Sequence, residues 1–175
     1  SGVTIKNYEV GANAGGEDSY FQVDIDVPRS PGSGYVEFEF KFFLDGTFAK
    51  GDTCADAPTG TQVTLENVNV TGIDIDAEQY NIFTSMDSYT LASNTRLSKI
   101  ITQEAAPAEF PATGKFYATG DVGSNDPRDQ VISTYGEIET FVVTVGAESR
   151  GTAYFGVAFK ALDWGSSAPE TVGEE

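Results

Sequence analysis

The chain has 175 residues, with 27 Asp and Glu against 10 Lys and Arg, and a formal charge of −17. That length fits one domain able to bury roughly 70% of its unfolded surface without a disulfide or a metal, and twelve Phe and eight Tyr interleaved with Val and Ile exclude a disordered chain. Nucleic acid and anionic lipid are excluded as direct partners, because the basic residues are scattered singly and form no patch.

Phe21, Val23, Ile25 and Val27 alternate with Gln22, Asp24 and Asp26, so a strand is predicted that buries the apolar set and turns both aspartates outward. Val36, Phe38, Phe40 and Phe42 predict a second strand of the same kind. Asp45-Gly46 then supplies a tight turn. Val63 and Leu65 differ in parity from Val68 and Val70, which predicts a bulge or bend near Glu66-Asn67. Ile73 and Ile75 extend that region as a further short strand. Residues 76–106 fit two readings. Asp76 and Asn94 suit helix caps, while Leu97, Lys99 and Ile101 also suit a strand. Pro107 to Pro111 reads as a loop. Ile138 is out of phase with Phe141, Val143 and Val145, a second predicted bulge. Phe155, Val157, Phe159 and Ala161 form the last alternation, with Tyr154, Gly156 and Ala158 on its other face. Residues 1–164 thus read as one domain, and 165–175 as a mobile acidic tail.

Eight to ten short strands with little helix predict an all-β fold, a two-sheet antiparallel β-sandwich. Long connections at 11–18, 49–60 and 105–113 favour a single jelly roll. An immunoglobulin-like sandwich is disfavoured because paired cysteines are absent.

Chemistry is sparse. The chain has no histidine, which removes the usual triads, His-liganded zinc and the common proton carrier near neutrality. The single cysteine, Cys54, sits between Asp52 and Asp56, which would raise its pKa. Gly15-Gly16 lies in an acidic stretch unsuited to phosphate. The pairs Asp24/Asp26, Glu37/Glu39, Asp74/Asp76 and Glu137/Glu139 each place two carboxylates on one strand face, as solvent-facing positions do. Asp121 to Asp129 offers hard oxygen ligands without EF-hand spacing. Asn69-Val70-Thr71 matches a glycosylation acceptor. Trp164, Tyr117 and Tyr135 are the rings with the most loop-like flanks. No catalytic, cofactor or metal residues are assigned, no cofactor is expected, and the chain is read as a non-enzyme.

Charge speaks to environment. The Debye length is about 10 Å at 0.1 M salt and about 3 Å at 1 M, so a surface this acidic suits concentrated salt. No apolar run reaches the length of a membrane span, and Ser1-Gly2 reads as a start that lost only an initiator methionine. In length, acidity, the run Tyr35 to Leu44 and the strand Thr152 to Leu162, the chain resembles the single-jelly-roll major capsid proteins of tailless icosahedral viruses that infect halophilic archaea. That resemblance implies upright barrels packed side by side into capsomers around an internal membrane. The expected function is therefore a structural virion protein. Its expected partners are its own copies and other virion proteins, with bridging cations as an aid and no insertion into the membrane. A tail-tube, spike or decoration protein shares the same composition. The reading from another class is an extracellular calcium-dependent carbohydrate- or ligand-binding module.

Overall fold

In a computed structural model the described residues are 2–10, 20–47, 60–103, 110–118, 120, 126–159, 164 and 168–173, the side chains of 7–10, 20 and 103 excepted. Among them are twelve strands: β1 (Thr4–Val10), β2 (Tyr20–Val27), β3 (Gly34–Lys41), β4 (Leu65–Ile73), β5 (Gln79–Met86), β6 (Ser88–Ala92), β7 (Ser98–Gln103), β8 (Ala112–Tyr117), β9 (Val131–Ile138), β10 (Thr140–Ala147), β11 (Gly151–Ala158) and β12 (Pro169–Gly173). They form a seven-stranded sheet ordered β1-β2-β11-β4-β9-β6-β12 and a five-stranded sheet ordered β3-β10-β5-β8-β7.

Eight of these strands nest. β2 pairs with β11, β3 with β10, β4 with β9 and β5 with β8, all antiparallel, and the pairs alternate between the two sheets. The chain is therefore one long hairpin wrapped around a core, which is the jelly roll. β1, β6, β7 and β12 widen its sheets.

Strict alternation on β2 and β3 drives the packing. Val23, Ile25 and Val27 are buried from one sheet, and Val36, Phe38 and Phe40 lean on the same core from the other. Each such side chain contributes about 1.5–3 kcal/mol of burial. Phe40 stacks on Phe141 at 4.9 Å, while Phe21 and Phe159 meet Phe40 edge-on at 5.4 and 5.2 Å, the offset arrangement that ring quadrupoles favour.

Several expectations change. Of residues 76–106, the described ones, 76–103, hold β5, β6 and β7 and no helix; Asp76 begins a turn in which Gln79 N donates to its carbonyl. Ile73 ends β4, and Ile75 follows in a loop, fully buried. No extra residue is inserted at Glu66-Asn67, since the β4–β9 register is unbroken there. Asn67 instead takes φ 55°, and β9 changes its inward face at the same level, between Tyr135 and Ile138. Ile138 differs in phase from Phe141 because the chain bends at Glu139 into the other sheet. Register shifts do occur between Phe83 and Met86, around Ser85 at φ 53°, and between Ile5 and Asn7. Within the expected tail, Pro169–Gly173 is β12, paired with β6 while all five residues stay exposed. The predicted Asp45-Gly46 turn is present, with Gly46 at φ 76° and Thr47 N donating to Leu44 O over 3.1 Å.

Candidate functional site

Cys54, Gly15-Gly16, Ala161 and residues 121–125 of the calcium candidate lie outside the described residues. The described acids of that candidate are engaged by arginines. A short 3-10 turn, Pro127–Asp129, is capped by Asp126, whose side chain accepts from Arg128 N. Arg96 Nε donates to Asp129 Oδ1 over 2.8 Å, its Nη2 reaches the other Asp129 oxygen, and the same nitrogen lies 3.1 Å from Asp126. Hydrogen bonds and charge from Arg128 hold the Asp126 carboxyl far below its usual range. Burial pushes Asp129 upward, against the pull of Arg96. This clamp latches the loop before β7 to the start of β9, where Arg96 N also donates to Arg128 O.

The carboxylate pairs fall in different settings. Asp24 and Asp26 face outward on β2, with Asp26 3.5 Å from Lys6. Glu37 and Glu39 are exposed on β3, and Glu39 lies 3.1 Å from Lys41. Asp74 and Asp76 are in the β4–β5 loop rather than on a strand; burial, then the Asp129 carboxylate, raise Asp74. Glu137 and Glu139 bracket the β9–β10 bend beside a cleft of about 370 Å³, whose lining includes Thr84, Ser85, Tyr135 and Thr140. Glu139 accepts from Thr64 over 2.9 Å. Tyr135 is a core residue, 2% exposed, not a loop ring; burial, then Asp87, raise its phenol well above the ordinary value. Asn69 lies mid-sheet, half-buried, accepting from Thr134 Oγ1, and Thr71 is fully buried, so the sequon is not displayed on a surface loop.

The arrangement that sequence reasoning missed is on the outer face of the five-stranded sheet. Pairing aligns Ser98, Tyr117, Tyr80, Gly146 and Tyr35 in one row across β7, β8, β5, β10 and β3. A Cβ at Gly146 would strike the Tyr80 ring, so glycine lets that ring lie against the sheet. Lys115 caps it with Nζ 3.9 Å from the ring centre and is itself held 2.8 Å from Glu148. The next row reads Ile100, Lys115, Ile82, Thr144 and Glu37. The signal was outward parity of Tyr35, Tyr80 and Tyr117, but only the register brings them together. Trp164 is half-buried.

Exposed large apolar side chains follow the sheet margins. Ile5, Tyr35, Ile100 and Val172 lie on β1, β3, β7 and β12, which are the edge strands among the described residues, and Leu44 lies just past β3. Tyr154 and Phe159 are the others. No helix among the described residues is long and apolar enough to cross a membrane. No family model, curated protein or solved structure matches the chain.

Proposed function

We propose that this chain is a structural virion protein, a shell subunit that associates laterally with its own copies in concentrated salt and performs no catalysis. The observation that carries this reading is the placement of Ile5, Tyr35, Ile100 and Val172 on the four edge strands, at both flanks of the sandwich. Edge strands also present unpaired backbone groups, so apolar margins are where a second copy gains most. A charge of −17 opposes such contacts in dilute salt and is screened at about 1 M. The nested jelly roll suits the role, since capsid domains use it, although lectins do too.

Sedimentation velocity and electron microscopy in about 1 M and about 0.1 M salt test it, because screening differs threefold in range between them. Rings, sheets or shells that come apart on dilution are expected. Monomers in both salts would defeat the reading. Tubes or fibres would select the tail or spike variant of the same class.

The tyrosine row favours a second reading, an extracellular sugar-binding module. Aromatic faces at Tyr35 and Tyr117 flank Tyr80 on one open sheet face. Glycan-array binding by monomers, abolished by a calcium chelator, is the outcome that would replace assembly with this alternative.

A further inference from the structure

Among the described residues β7 ends the five-stranded sheet, with β8 on one side and nothing on the other. Its sequence, Ser98-Lys99-Ile100-Ile101-Thr102-Gln103, is the most adhesive of the four edges. Two isoleucines and a threonine suit pairing with a further strand, and a single charge interrupts them. The other edges are blunted differently. β3 carries Glu37 and Glu39 exposed, β1 changes register around Lys6, and β12 is five residues long and opens with Pro169.

Lys99 does not point as a surface lysine does. It pairs with Phe116, which is fully buried, so both side chains share the inner face of the sheet. Its Nζ lies 4.9 Å from the ring centre of Tyr89 on β6, in the other sheet, and that ring is buried in the core. Lys99 is nevertheless exposed. The topology explains why. The seven-stranded sheet continues one strand past β6 to β12, whose five residues are all exposed, so the space facing β12 beside β7 is open to water. At the level of Tyr89 that strand presents Val172.

A second copy that laid a strand along β7 would gain main-chain hydrogen bonds and cover Val172. It would also fill this space and strip water from the Lys99 ammonium. An aromatic face alone does not replace that hydration. Salt does not relieve the cost. At about 1 M salt a Debye length of about 3 Å removes most of the repulsion between acidic copies, but it leaves the loss of hydration intact. A guard that works by desolvation therefore still acts where the carboxylates have stopped keeping copies apart.

We infer that Lys99 closes the β7 edge to main-chain pairing with a second copy, leaving side chains such as Ile100 as the means of contact at that margin. The exclusion of a strand rests on the fold alone. The contact through Ile100 rests on the lateral-assembly reading.

Lys99→Val, Lys99→Glu and the wild-type chain, compared by sedimentation equilibrium and amide hydrogen exchange in about 1 M and about 0.1 M salt, test this. Lys99→Val is expected to fold and, at about 1 M, to self-associate on the order of tenfold or more tightly than wild type. Its β7 amides that β8 leaves unpaired should become protected as it associates. Lys99→Glu loses the ring contact but keeps a charge to desolvate, so it should match wild type. In wild type those amides should exchange as fast in assemblies as in monomers. Wild type that stays monomeric in both salts defeats the assembly reading, and the Lys99→Val comparison still decides this one. Should Lys99→Val not fold, Lys99→Thr carries the same expectation. Unchanged association of the uncharged variant, equal association of Lys99→Glu and Lys99→Val, or β7 amides protected in wild-type assemblies would each overturn the inference.

Discussion

On its outer side the five-stranded sheet aligns Tyr35, Gly146, Tyr80 and Tyr117 in one row with Lys115 over the Tyr80 and Tyr117 rings, whereas the seven-stranded sheet, at β1, β2 and β11, presents Lys6, Asp26, Thr152, Asp24 and Tyr154. Both faces are the outward halves of strands whose inward halves build the same core. Inward positions are constrained by packing, so Phe, Val and Ile recur on both sheets. Outward positions are free to specialise. One face has become aromatic and partly buried, and the other remains polar and hydrated.

The largest expected effect concerns association. Tyr35→Glu combined with Ile100→Glu should weaken self-association in about 1 M salt at least 30-fold, the loss of a strong contact residue, measured by sedimentation equilibrium. Tyr154→Glu on the opposite face should leave it unchanged; the reverse result would assign contact to the polar face. Next comes packing on each face. Gly146→Ala pushes a methyl group into the Tyr80 ring and towards the Gly34 carbonyl, and should cost about 2 kcal/mol in urea melts. Gly156→Ala meets Ile73 at an ordinary 3.4 Å and should change stability by less than about 0.5 kcal/mol.

The interior shared by both faces supplies a control. Tyr135 has a folded-state pKa above its unfolded value of about 10, so its contribution is complete below pH 10 and is lost as pH rises towards the folded value. Stability should fall by about 1.4 kcal/mol per unit above pH 10, and Tyr135→Phe should remove that share of the slope. The smallest effect is at the lysines. Lys115→Met removes a ring contact and a bond to Glu148 and should cost about 0.5–1 kcal/mol, while Lys6→Met should cost less than about 0.5 kcal/mol.

Strands β2 and β3 were legible because one face of each meets solvent, so polar and apolar residues alternate. β5 was not, because Gln79, Tyr80 and Asn81 are all buried, two towards the core and Tyr80 beneath Lys115 on the outer face. Periodicity disappears when both faces of a strand are covered. β12 left no trace for the opposite reason: it buries nothing and is placed by backbone pairing to β6 and the Thr90–Thr171 hydroxyl contact of 2.8 Å. The sandwich and its jelly-roll connectivity follow from counting strands and loops. The tyrosine row and the Arg96–Asp129 clamp do not, since each joins residues that only the pairing register or a loop crossing makes neighbours.

The nested pairing has a consequence for how the protein is made. Ile82 finds Lys115 soon after it in the chain, but Val23 must wait for Phe155, near the other end. Closure entropy therefore favours zipping from the innermost pair outward, and such distant partners make folding slow. During synthesis β2 leaves the ribosome early and waits for β11 with an edge unsatisfied, so the acidic side chains beside it guard the nascent chain long before any finished surface exists.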